Sequence, residues 1–208
     1  MYATRMSLTV ENLTHGYSKR NYVFEDLSFH VGEGEIVAIV GQSGCGKSTL
    51  LHCIAGLITP SSGSIHIAGE SITHKKPHER GIGIMMQDQP LYEHLSVEQN
   101  IAFPLQARGE KKTSILQLLD QLKLTKVSKQ KVSTCSGGER RRVAFGRAIV
   151  LEPKVLLLDE PFVSLDKELK TLLEDRIRIS KITTLLVSHN EVELEYDRSI
   201  QLETYGAI

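Results

Sequence analysis

The nine residues Gly41-Gln42-Ser43-Gly44-Cys45-Gly46-Lys47-Ser48-Thr49 constrain this chain more than any other stretch. They follow an apolar run, Ile36-Val37-Ala38-Ile39-Val40, and lead into Leu50-Leu51, so the local order is strand, glycine-rich turn, helix. The spacing of Gly, four residues, Gly, Lys, Ser fits a phosphate-binding P-loop. Glycines let several backbone N–H groups converge with no side chain in the way. A helix that begins near Lys47 adds about half a positive charge at its N-terminus. In such a loop Lys47 reaches the β- and γ-phosphates of a nucleotide, and the Ser48 hydroxyl ligates Mg²⁺.

Charge and cysteine content narrow the setting. Lys plus Arg and Asp plus Glu both number 25, so the formal net charge is zero and exerts no global pull toward nucleic acid or an anionic membrane. Cys45, Cys53 and Cys135 show neither metal-ligand spacing nor a disulfide framework, which fits a reducing cytosol. Cys45 and Cys135 fall inside motifs and read as small inert fillers. Residues 1–6 have no apolar signal core, and no window approaches the roughly 20 apolar residues that span a bilayer. A chain of 208 residues suffices for one domain with an inserted subdomain.

Hydrophobic periodicity supplies the rest of the pattern. Residues 8–13 and 23–31 alternate and predict antiparallel strands, with His15-Gly16-Tyr17-Ser18-Lys19 as a polar turn between them. After the P-loop, Leu50, Leu51, Ile54 and Ala55 lie at helical spacing up to Gly56, and Ile65 and Ile67 mark a short strand. Residues 72–80 read as polar and irregular, and residues 82–86 as a buried strand with Gln87 at its end. From Gln89 to about Leu151 the period turns helical. Val97, Ile101 and Leu105 share a face that Pro104 interrupts; Ile115, Leu116, Leu118, Leu119 and Leu122 share another; Val143, Ala144, Ala148 and Ile149 a third. The α/β pattern then returns: a strand at 155–158 ending in Asp159-Glu160, a helix carrying Leu169, Leu172, Leu173 and Ile177, a strand at 183–187 ending in Ser188-His189, and a last strand at 199–202. Polar residues at the carboxyl ends of apolar strands are where open α/β sheets bind ligands.

Five features in this order, the P-loop, Gln87, Ser136-Gly137-Gly138-Glu139, Asp159-Glu160 and His189, resemble the nucleotide-binding subunit of an ATP-binding cassette (ABC) transporter. The resemblance covers essentially the whole chain. It implies an α/β fold: a P-loop NTPase core with an antiparallel β subdomain and an inserted α-helical subdomain. The single domain 1–208 would divide into a core at 1–88 and 152–208, with the antiparallel strands at its N-terminus, and a helical signature subdomain at 89–151. The family signature usually reads Leu-Ser-Gly-Gly-Gln; here Cys135 and Glu139 take its first and last places, before the basic run Arg140-Arg141-Arg142. Ser136 and the free N–H groups of this helix start form a second anion site.

The resemblance assigns roles to these residues. Glu160 would orient or deprotonate the attacking water, and Lys47 and His189 would share the charge of the γ-phosphoryl group. Asp159, with Ser48 and Gln87, would hold Mg²⁺. Tyr17 would stack on adenine, with Tyr22 its nearby competitor. Pro161-Phe162-Val163-Ser164-Leu165-Asp166 resembles the D-loop, with the usual Ser-Ala-Leu-Asp shuffled. ATP would lie between one protomer's P-loop and the Ser136-Gly137-Gly138 of a second copy, in a head-to-tail homodimer. Transmembrane permease subunits would contact the groove around Gln87 to Glu98, including Tyr92 and His94. The stretches 77–88, 91–97 and 101–105 look like bacterial importer cassettes of the sugar, polyamine, iron and inorganic-anion group, which implies a solute-binding protein in the complex and no nucleic acid. Such a subunit is cytoplasmic and peripheral on the inner face of the cell membrane. Many carry a C-terminal regulatory domain; a chain that stops at Ile208 would have none. The segment from Asp166 to His189 is shorter than usual by roughly two helical turns. Three alternatives stay open: an exporter-type cassette, an ABC ATPase of DNA repair or translation, and a binding-only cassette with dead catalysis, against which the presence of Lys47, Asp159, Glu160 and His189 speaks.

Overall fold

The structure, a computed structural model, describes residues 6–18, 21–88, 90–109, 115–161, 167–188 and 195–203. In chain order its first half contains β1 (Met6–Ser18), β2 (Asn21–Gly32), β3 (Ile36–Val40), α1 (Lys47–Ala55), β4 (Ser62–Ile67), β5 (Glu70–Ser71) and β6 (Ile82–Met85). The second half contains α2 (Val97–Ala107), α3 (Ile115–Gln121), α4 (Gly137–Ile149), β7 (Val155–Asp159), α5 (Lys167–Ser180), β8 (Thr183–Val187) and β9 (Arg198–Gln201).

The strands without a polar face lie centrally. β6-β7-β8-β3-β9 form a parallel sheet in that order, and every residue of β7 and β8 is buried. Continuous apolar strands are what a parallel sheet covered on both faces requires. The alternation along each strand sorts its side chains between two cores. Val37, Ile39, Val155, Leu157, Leu185 and Val187 face α1 and the antiparallel sheet, meeting Leu8, Val10, Phe24, Leu50 and Ile54. Ala38, Leu156, Leu158 and Leu186 face the helices, meeting Ile101, Val143, Phe145 and Ile177. The smaller sheet runs β2-β1-β4-β5, all antiparallel. At β6 the helical block comes closest: a Cβ on Gly83 would stand 2.1 Å from the Ala148 carbonyl oxygen of α4, so only glycine allows this approach.

Three local expectations need correction. Tyr17 lies within β1, because register shifts on either side of Gly16 carry the pairing through to Ser18↔Asn21. α2 runs unbroken through Pro104, since the burial of Val97, Ile101, Ala102 and Leu105 outweighs one missing N–H donor. The stretch 72–80 contains a 3₁₀ turn at Pro77–Glu79 and the buried Arg80. Arg80 Nη1 donates to the carbonyls of Cys53 (3.0 Å) and Ile54 (2.9 Å), and its Nη2 and Nε reach Thr73 and Lys75. A cation here satisfies the last carbonyls of α1 and complements its dipole. Burial of the neighbouring Cys53 pushes its thiol up to about 12, consistent with an inert filler.

Candidate functional site

Because β3, β6, β7 and β8 are parallel and adjacent in one sheet, their carboxyl ends share one edge. The P-loop follows β3 and turns into α1 at Gly46, whose φ of 99° is open to glycine alone; a Cβ there would meet Val23 Cγ1 at 2.2 Å. No side chain caps α1. Lys47 is 3% exposed, and its ammonium donates to the carbonyls of Gly41 (2.7 Å) and Gln42 (2.8 Å), closing the loop on itself. Gln42, Ser43 and Gly44 are exposed, Cys45 is buried, and Ser48 and Thr49 are half-buried. β1 brings Tyr17 alongside: its hydroxyl is 3.3 Å from Thr49 Oγ1, and its ring meets His15 edge-on at 5.3 Å. Tyr22 pairs with Gly16 across the hairpin and is half-buried, whereas Tyr17 is 70% exposed.

β7 ends on Asp159, and Glu160 follows in the left-handed region at φ 51°, a conformation that costs a non-glycine residue about 1–3 kcal/mol and gathers at functional sites. Both carboxylates are buried. The Glu160 N–H donates to the Val187 carbonyl at 3.0 Å, which pins the acidic pair to the end of β8. Asp159 Oδ1 is buried with no hydrogen-bond partner among the described residues. Gln87 is exposed two residues beyond β6. His189 and the D-loop residues 162–166 lie outside the described residues; β8 ends on Val187 at this sheet edge. Among the described residues no group of three or more His, Cys, Asp or Glu could cage a metal. One unspent carboxylate oxygen and a P-loop hydroxyl fit Mg²⁺, which keeps waters and takes its remaining ligands from phosphate.

The other polar turn opens α4. Ser136 is its N-cap, accepting from the Glu139 N–H at 3.3 Å, while the Glu139 carboxylate accepts from the Ser136 N–H at 2.8 Å. This reciprocal capping box leaves Ser136 and Gly137 exposed and Gly138 half-exposed at the helix start. No hydrogen bond among the described residues joins these three to the P-loop.

Side chains that sequence reasoning passed over tie α4 to the segment after Gln87. Arg140 grips Glu93 with both terminal guanidinium nitrogens, Nη1 at 3.0 Å and Nη2 at 2.5 Å, and Nη1 also donates to the Val132 carbonyl. Arg147 donates to the Pro90 carbonyl at 2.7 Å and stands 5.6 Å above the Tyr92 ring. Asn100, fully buried, accepts from the Tyr92 N–H and donates to the carbonyls of Tyr92 and Ser96. The Tyr92 and Phe103 rings, 4.4 Å apart, remain 38% and 39% exposed. The basic run Arg140-Arg141-Arg142 was the available signal for Arg140; Arg147, outside that run, and the partners of both, far away in the chain, carried none.

A P-loop at the carboxyl edge of a parallel sheet, with an acidic pair two strands away, defines a P-loop NTPase of α/β class. The chain belongs to the ABC transporter family, whose model matches residues 24–163. It is 40% identical over 194 residues to the trehalose import ATP-binding protein SugC of Mycobacterium tuberculosis, covering 89% of this chain and 49% of that protein. It is 42% identical over 197 residues to the maltose/maltodextrin import ATP-binding protein MalK of Escherichia coli, covering 90% and 52%. The chain thus spans about half the length of the curated relatives it matches. Among solved structures, an ATP-binding subunit of an ABC transporter superposes with a TM-score of 0.86 at 29% identity, covering 96% of this chain and 88% of the other. The dimeric structure of MJ0796, a bacterial ABC transporter cassette, gives 0.82 at 27% identity, covering 95% and 94%.

Proposed function

We propose that this chain is the ATP-binding and ATP-hydrolysing subunit that energises a solute importer of the ABC transporter family. The observation that carries the reading is the meeting of the P-loop and Asp159-Glu160 at one sheet edge, where Asp159 Oδ1 has no hydrogen-bond partner among the described residues. The import names of SugC and MalK support an importer over an exporter or a non-transport ATPase. The dimeric cassette MJ0796 supports a pair of chains, which the family resemblance arranges head to tail.

In this reading Lys47 and the backbone of Gly41 to Thr49 cradle the phosphates of ATP, and Tyr17 stacks on the adenine. Ser48, Gln87 and Asp159 hold Mg²⁺, which when bound neutralises charge on the β- and γ-phosphoryl oxygens. Glu160 orients the attacking water, and His189 contacts the γ-phosphate. The partner copy supplies Ser136, Gly137 and Gly138 over that phosphate, so that catalysis is positioning and electrostatics. The ABC ATPase domain divides into a core, 1–88 and 152–208, and a helical signature subdomain, 89–151. Permease subunits sit against Tyr92, His94 and Phe103, whose segment Arg140 and Arg147 tie to the signature helix. A solute-binding protein completes the complex on the far side of the membrane. No helix among the described residues is long and apolar enough to cross a membrane. By its likeness to the import ATP-binding proteins SugC and MalK, the chain works as a peripheral subunit on the cytoplasmic face.

The test is ATP turnover by the chain assembled with its membrane partner. Glu160→Gln is expected to lower turnover on the order of 10²–10⁴-fold while ATP binding persists. Equal turnover in the variant, or co-purification with no integral membrane protein, would overturn the reading.

A further inference from the structure

The Glu139 carboxylate sits beside the anion site that the dimer reading assigns to Ser136. Oε2 of Glu139 accepts from the Ser136 N–H at 2.8 Å and from the Ser136 hydroxyl at 2.9 Å. A serine hydroxyl has one proton, and here it is committed to a carboxylate, a stronger acceptor than a neutral amide oxygen. The Ser136 N–H bond, then the hydroxyl bond, holds the Glu139 carboxyl below the usual range, so the group is anionic near neutrality. No Lys or Arg among the described residues forms an ion pair with it: Arg140 is spent on Glu93, and Arg142 acts only through its field. A γ-phosphate arriving at this helix start would meet a fixed negative charge and a hydroxyl already engaged.

We propose that Glu139 is a positioning residue that restrains ATP-driven closure: its carboxylate holds the Ser136 hydroxyl and opposes the partner's γ-phosphate at the dimer interface. This rests on the head-to-tail reading above. Closure requires the hydroxyl to turn from carboxylate to phosphate while two like charges draw together, and it occurs twice per symmetric dimer. A glutamine keeps the capping box, since its amide oxygen still accepts from the Ser136 N–H, and removes the charge.

The experiment uses the 208-residue chain carrying Glu160→Gln to stop turnover. Dimer formation is followed by light scattering against MgATP concentration, at low and high salt, and each midpoint is divided by the same protein's monomer affinity for ATP. Adding Glu139→Gln is expected to lower the midpoint about tenfold at low salt, with the gap narrowing at high salt as the repulsion is screened. Adding Glu139→Ala is expected to lower the midpoint similarly while the melting temperature falls, because the cap is lost. Equal midpoints, or a gap that salt leaves unchanged, overturn the proposal alone. A chain that binds ATP and stays monomeric in every form overturns the dimer reading and this proposal with it.

Discussion

Two turns in this chain open a helix with glycine, and they treat their polar groups in opposite ways. At the start of α1 no side chain caps the helix and no acidic residue lies in the first turn. At the start of α4 Ser136 and Glu139 cap each other. An absent N-cap costs about 1 kcal/mol, and a protein tolerates that where a bound anion will take the cap's place. The P-loop is therefore organised for a ligand before the ligand arrives. The α4 turn is satisfied without one, through the reciprocal Ser136 and Glu139 cap. In the proposed dimer, the contrast would separate a half-site that captures nucleotide from a half-site that responds to capture.

Four substitutions would break or sharpen that contrast. Lys47→Ala should act most strongly, because it removes a buried ammonium that also organises the loop through Gly41 and Gln42. A loss of about 2–5 kcal/mol, from about thirtyfold to several thousandfold in ATP affinity, is expected by calorimetric titration. Unchanged affinity would end the P-loop reading. Tyr17→Ala should weaken nucleotide binding about tenfold through loss of stacking, with adenine and non-adenine triphosphates affected unequally. Tyr22→Phe should leave binding unchanged, and a reversal of these two results would reassign the stacking residue.

The smallest effect concerns the tie between α4 and residues 90–96. The Arg140 hydrogen bond holds the Glu93 carboxyl below its usual range. Its folded-state pKa lies below the unfolded value, near 4.3, so the stabilisation is fully present above that pH. It is lost as the pH falls through the lower folded-state value. Arg140→Ala should remove this acid limb from the melting profile and speed amide exchange at residues 90–96, with little change in ATP affinity at neutral pH. A variant with the parent's exchange rates would show that Arg147 and Asn100 hold the segment unaided.

Much of this was legible in the amino-acid order. The P-loop is nine adjacent residues, and its backbone follows from glycines, one helix start and the strand before it. The acidic pair ends an apolar run, and Ser136 precedes two glycines, both local signals. The misreadings lay where a distant partner overrode local chemistry. Pro104 sits in a helix that its buried face sustains. Tyr17 belongs to a strand that its neighbours extend. Arg80, in a stretch that reads as polar loop, is buried on carbonyls 26 and 27 residues earlier.

The sequence by itself determined the turns, because φ, ψ and capping depend on residues a few places apart. It also determined which runs must be buried on both faces. Tertiary structure alone decided which ends meet. The strand order β6-β7-β8-β3-β9 brings Glu160 to Val187, and the hairpin brings Tyr17 to Thr49. Helix packing brings Arg140 to Glu93, 47 residues away. Such pairs depend on which surfaces bury one another, and the pattern of any single segment contains no record of its partner.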